Sequence, residues 1–175
     1  MSLFNFHGKW KEIESKNDSE FLKSVGVSKT KRRIAKRMKI KCKWDVQDET
    51  CFIYTNKLMG VEEKTILDEV RETKSTTFGQ VKQISTLDDQ GCLCSEITVL
   101  VSDGNMDVPV GTLLKNKISV NKKLDRLTIE TTHVSEEHGD VTLTKILKKR
   151  KVSDEDEAAE ELADLKAMQE AENEE

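Results

Sequence analysis

The stretch FHGKWKEIESKNDSEFLKSVGV, residues 6–27, carries most of the fold information in this chain. Phe6, Gly8 and Trp10 recur with period two, the spacing of one face of a strand. Asn17 or Asp18 then offers a side-chain oxygen to cap the free N–H groups of a helix start. Phe21, Leu22 and Val25 make an apolar helical stripe, and Gly26 suits the helix end. A second short helix fits Lys29–Arg37. Its Ile34 and Ala35 point inward, and Lys29, Lys31, Arg32, Arg33, Lys36 and Arg37 point largely outward.

Downstream the period-two pattern dominates. Ile40, Cys42 and Trp44 share one face, and Lys39, Lys41 and Lys43 the other. Phe52 and Tyr54 follow, then Ile66 and Val70, Leu93 to Val101, Leu114 to Val120, Leu127 and Ile129, and Val141 to Leu147. Turn signals separate these runs at Asp88–Gly91, Ser102–Asn105, Asn121–Lys123 and Glu137–Asp140. Roughly ten short strands with one helical interruption predict an antiparallel barrel or sandwich.

The chain has 175 residues, a single proline and a net charge of −4. No apolar run approaches the roughly 18 residues of a membrane-spanning helix. The first ten residues lack a secretory signal's pattern. The net charge hides a split: residues 154–175 carry −10 and the remainder carries +6. Ala158, Leu162, Leu165 and Met168 recur at helical spacing in that tail. Its charge predicts disorder, or a transient helix that orders on a partner. The four cysteines, Cys42, Cys51, Cys92 and Cys94, do not follow zinc-ligand spacing. With no secretory signal they are expected to be reduced, in cytosol or nucleus.

The start motif resembles that of the intracellular lipid-binding proteins, the fatty-acid-binding protein family. The matching residues are Phe6-x-Gly8-x-Trp10-Lys11, Asn17, Glu20-Phe21-Leu22-Lys23 and Val25-Gly26-Val27, and strand order and turn spacing agree through about residue 151. The resemblance implies a ten-stranded, clam-like barrel over 1–151, closed by a helix–turn–helix lid (about 17–37), with 152–175 as an acidic tail. Two residues depart from the start pattern: Glu12, where the family prefers an apolar residue, and Asp18, where it usually has an aromatic one.

The function so implied is non-covalent binding and intracellular transport of a long-chain fatty acid or similar amphiphile inside the barrel. An acyl chain gains about 0.8 kcal/mol for each CH₂ removed from water. Its carboxylate then needs a buried partner. The family's last strand supplies Arg-x-Tyr for that task; here those positions align with Lys145 and Leu147. A second family Arg, on the eighth strand, aligns near Lys117. The ligand set so implied is Lys117, Lys145 and Leu147, with Tyr54 and Trp44 as further lining candidates. Lysine gives a point charge rather than a bidentate fork, so a neutral-headed or larger lipid is an alternative ligand. The residue-level alternative for Lys145 is snorkelling toward an open end. For Lys117 it is a one-residue slip that turns the side chain outward.

The basic second helix, with Lys29, Lys31, Arg32 and Arg33, is expected to serve as a portal at anionic membranes, or simply as a solvated face. Some family members carry a nuclear-import signal on the folded lid, and Lys23, Arg32 and Arg33 match its spacing. Lys148-Lys149-Arg150-Lys151 also looks like a short nuclear signal, implying an import receptor. Ser153, in acidic context, is a candidate phosphorylation site that could mask it. The −10 tail could fold back on the basic lid.

No nucleophile elbow, phosphate loop, zinc motif or useful Cys–His spacing is present, so no enzyme activity and no cofactor are expected. Aromatic residues are few among the bases, so no nucleic-acid surface is expected. A monomer is anticipated. The competing functional class is a nuclear or cytosolic interaction module, with the barrel as platform and the charged segments as partner sites.

Overall fold

The computed structural model describes residues 2–56, 60–137 and 139–151. The expectations for the acidic tail, Ser153 included, lie outside the described residues.

A short 3₁₀ turn, Leu3–Phe6, leads into β1 (Gly8–Lys16). The helices α1 (Asp18–Ser24) and α2 (Lys29–Arg37) follow. Nine strands complete the chain: β2 (Lys41–Val46), β3 (Cys51–Asn56), β4 (Val61–Ile66), β5 (Arg71–Ser75), β6 (Gly79–Leu87), β7 (Leu93–Val101), β8 (Leu113–Val120), β9 (Arg126–Val134) and β10 (Val141–Arg150). They form one antiparallel sheet in the order β4-β3-β2-β1-β10-β9-β8-β7-β6-β5. The first and last strands pair through the ladder β1–β10, in which Trp10 faces Lys149 and Glu12 faces Leu147. The sheet thus curls into a nearly closed, clam-like barrel under a two-helix lid. Its seam lies between β4 and β5, where the Arg71 guanidinium donates to the Lys64 carbonyl at 2.8 Å.

The predicted helix over 29–37 is α2 itself, capped by Ser28 Oγ, which accepts from the Lys31 N–H. At α1 the cap differs from expectation. Asn17 takes a left-handed backbone (φ 65°) and makes no side-chain cap. Its amide instead donates to the Thr142 carbonyl of β10 at 3.2 Å, tying the helix start to the last strand. Gly26 ends the helix at φ 82°, and a Cβ there would stand 3.3 Å from Pro109 in the β7–β8 loop. Val70 and Val101, counted among the apolar residues of the period-two runs, are exposed. Val70 sits in the β4–β5 turn, and Val101 at the end of β7 after a register shift in the β6–β7 ladder.

Alternation sorts the interior into layers. One apolar cluster gathers Leu3, Phe6, Trp10, Trp44, Phe52, Leu93, Ile118, Val120, Leu127 and Leu147. A second, under the lid, joins Phe21, Leu22, Val25 and Val27 to Val81, Ile97, Val99, Leu114 and Leu143. Two residues along a strand move about 6–7 Å but keep the same face. Inward positions between the two clusters therefore form a belt, and they are polar: Ser85 on β6, Ser95 on β7, Asn116 on β8, Lys145 on β10 and Glu12 on β1.

Candidate functional site

The polar belt holds the chemistry of the interior. Its centre is an ion cluster at the β1–β10 ladder. Glu12, whose side chain is 2% exposed, accepts from Lys145 Nζ at 2.8 Å. Lys145, 13% exposed, also lies 3.5 Å from Asp18 at the start of α1. The other Glu12 oxygen meets Lys39 Nζ at 3.4 Å, and the carboxylate accepts from the Ile40 N–H at 3.1 Å. Glu12 is thus saturated, as a buried carboxylate must be. Three of the positions where the sequence leaves the family pattern, Glu12, Asp18 and Lys145, meet in one place.

Across the barrel the belt is uncharged. Gln83 Nε2 donates to Ser85 Oγ at 3.1 Å, and Ser85 and Ser95 share a hydrogen bond of 2.8 Å. Asn116 sits beside Ser95 and Thr131 in the ladders. Its buried Oδ1 has no hydrogen-bond partner, and neither does the buried Oγ of Ser15. On the β2–β4 side, burial pushes the Cys42 thiol up to about 12, against the opposing contacts with Trp44 and Tyr54. Burial also holds the Tyr54 phenol well above its ordinary value, with the Cys42 thiol and the Asn56 side chain as neighbours. Glu63, opposite Tyr54 in the ladder, is raised by desolvation. The four cysteines are free thiols.

The sequence-predicted ligand set separates. Lys145 points inward but is already paired. Leu147 is fully buried in the lower cluster. Trp44 is a core anchor, with ring centres 5.8 Å from Phe6, 4.9 Å from Phe52 and 5.3 Å from Tyr54. Lys117 is on the outer side of β8, between Cys94 and Glu130 in the ladders and 3.7 Å from Asp88. It is half-exposed and does not meet Lys145. It lines a concavity of about 620 Å³ with Ile84, Thr86, Ser95, Glu96, Asn116 and Glu130. The inward residue of that strand segment is Asn116, one position away.

On the lid, Lys31 pairs with Asp107 of the β7–β8 loop, and the Arg32 guanidinium donates to the Val27 carbonyl at 2.6 Å. Lys23, Lys29 and Arg33 are exposed. Lys31 thus ties α2 to the β7–β8 loop, Arg32 bonds within the lid itself, and Lys29 and Arg33 are exposed. Over its strand part the run Lys148–Lys151 alternates between two faces. Lys148 and Arg150 face outward, and Lys149 Nζ lies 5.3 Å from the Trp10 ring centre. Lys151 follows the strand and is exposed. The outward pair joins a larger basic face that sequence reasoning missed. Lys9 stands between Lys43 and Arg150, Lys11 between Lys41 and Lys148, and Lys148 opposite Arg126. The signal was present in the alternation, but its detection needed the β1–β10 register.

No family model and no curated protein matches the sequence. Solved structures do match in shape. The apo form of Caenorhabditis elegans lipid binding protein 8 aligns with a TM-score of 0.66 at 16% identity, over 86% of this chain and 99% of that one. Zebrafish ileal bile acid-binding protein complexed with cholic acid aligns at 0.63 and 17%, over 83% and 99%. Echinococcus granulosus fatty-acid-binding protein 1 aligns at 0.64 and 14%, over 85% and 100%. At such identities the likeness is one of architecture: this chain has the lid-closed, ten-stranded barrel fold of the intracellular lipid-binding proteins.

Proposed function

We propose that this protein binds a hydrophobic ligand non-covalently inside its barrel and carries it between membranes. The observation that carries this reading is the layered interior, in which a polar belt with unmatched hydrogen-bonding capacity lies between two apolar clusters. An amphiphile meets both kinds of surface at once, its chain against the clusters and its head at the belt. The fold neighbours, named for lipid, bile acid and fatty acid binding, support the same reading. Exchange runs through the α1–α2 lid. The exposed cations of α2 draw it to anionic headgroups, each worth about 1 kcal/mol near such a surface. On this reading the protein is a carrier rather than an enzyme, with the cytoplasm as its compartment and the nucleus as a second candidate.

The test is displacement of a fluorescent acyl probe from the purified chain, with native mass spectrometry of copurified ligand. Saturable one-to-one binding is expected, and a probe that never binds would overturn the proposal. The basic face of β1, β2 and β10 favours a second reading, contact with an acidic protein surface such as an import receptor. A barrel that takes up no amphiphile yet captures one defined acidic partner would select it.

A further inference from the structure

The inward-facing charges constrain the ligand's head group, an inference that rests on the carrier reading above. Among the described residues, each cation turned toward the belt already has an acid. Lys145 has Glu12 and Asp18, Lys39 at the rim has Glu12, and Arg71 at the seam has Glu69 at 3.9 Å along with the Lys64 carbonyl. Glu63 adds a further inward carboxyl, raised by desolvation. The interior acids at least match the cations. A ligand carboxylate would have to take Lys145 from Glu12, leaving a 2%-exposed carboxylate short of its main partner. Stranding a buried charge costs more than the new pair returns.

The uncharged side of the belt points the same way. Asn116 Oδ1 is a buried acceptor with no donor. The adjoining Ser85–Ser95 pair offers hydroxyls that donate or accept. A head group bearing its own O–H or N–H can donate to Asn116 Oδ1, which a carboxylate, an acceptor only, cannot do.

We propose that the cognate ligand is a long-chain amphiphile with an uncharged hydroxyl or amide head, bound with that head at Asn116, Ser85 and Ser95, and that the Glu12–Lys145–Asp18 cluster excludes carboxylates. The cluster is a selectivity element, and it also closes the β1–β10 ladder.

The experiment compares three competitors of equal chain length against one fluorescent acyl probe on the full chain at neutral pH: the carboxylic acid, the alcohol and the primary amide. Alcohol and amide should bind about tenfold tighter than the acid or better, the worth of one charge-assisted bond. An acid that competes as well as the alcohol overturns the head-group inference and leaves the carrier reading intact. A probe that fails to bind overturns both. Glu12→Gln keeps the shape and removes one inner charge. It should raise acid affinity by about tenfold while alcohol affinity stays within about threefold. An unchanged acid-to-alcohol ratio would remove Glu12 from the mechanism. Asp18→Asn, at a less buried position, repeats the test should Glu12→Gln fold poorly. Asn116→Leu should weaken the alcohol and spare the acid, and equal losses for both would remove Asn116.

Discussion

On the inner side of β10, Lys145 lies 2.8 Å from Glu12 and 3.5 Å from Asp18. On the outer side of the same strand, Lys148 stands opposite Lys11 and Arg126, and Arg150 opposite Lys9. The residue types are the same and the electrostatic logic is opposite. Inside, little water screens a charge, so a cation persists only with its acid beside it. Outside, water and salt reduce the repulsion between neighbouring cations to a small cost, and a basic face can accumulate. On the proposed function, the interior bears on the ligand's head group and the exterior on the sign of the surfaces the protein meets.

The comparison breaks most sharply at the inner pair. Lys145→Met should lower the unfolding free energy by about 3 kcal/mol, because it leaves Glu12 buried without its main partner. The double variant Glu12→Leu/Lys145→Met should recover most of that loss, since a packed apolar pair replaces a costly ionic one. Urea unfolding of both variants checks this; equal losses in the two would mean that the charge pairing is not what holds the site.

On the outer side the expected effect is on exchange rather than stability. Lys29→Ala/Arg33→Ala removes two exposed lid cations and should weaken association with anionic vesicles by about 1 kcal/mol for each cation. Transfer should slow accordingly, with no change for neutral vesicles. A uniform slowing on both vesicle types would place the barrier elsewhere.

The pH response distinguishes the two regions by sign. Burial raises the Glu63 carboxyl, so its contribution to stability is fully present below its ordinary value and is lost as pH rises through the raised one. Asp88, in the outer β6–β7 turn, is lowered chiefly by the Cys92 N–H, with further help from Gln90 and Lys117. Its contribution is present above its ordinary value and is lost as pH falls through the lowered one. Glu63→Gln should therefore gain on the native protein as pH rises from acid to neutral, and Asp88→Asn should lose. Unfolding midpoints across that range would refute the assignment if both variants moved in the same direction.

The smallest effect belongs to the basic face. Lys148→Glu places an acid between Lys11 and Arg126 and should stabilise the fold by about 0.5 kcal/mol at low salt. The gain should fade as salt rises. A salt-independent gain would point to packing instead of charge.

Most of the architecture was legible in the chain. Alternation marked the strands, Lys29–Arg37 read directly as α2, and the Phe6-x-Gly8-x-Trp10 start pointed to the barrel. The site was legible only in part. Lys145 could be picked out as an inward charge, but not as a partner of Glu12, because 133 residues separate them. Lys117 shows why the alignment misled. Lys115, Asn116 and Lys117 alternate across β8, and a shift of one position exchanges the inward amide for an outward ammonium.

The sequence by itself determined the period-two strands, the basic lid helix, the split between a +6 body and a −10 tail, and Lys145 as an inward charge. These are local properties, set by residue type and spacing. Only the tertiary structure decided that Glu12, Asp18 and Lys145 meet, that Asn116 rather than Lys117 faces inward, and that the cations of β1, β2 and β10 form one face. Those outcomes depend on which strands pair and in what register. The hydrogen-bonded closure of β1 against β10 sets both, and no local pattern encodes it.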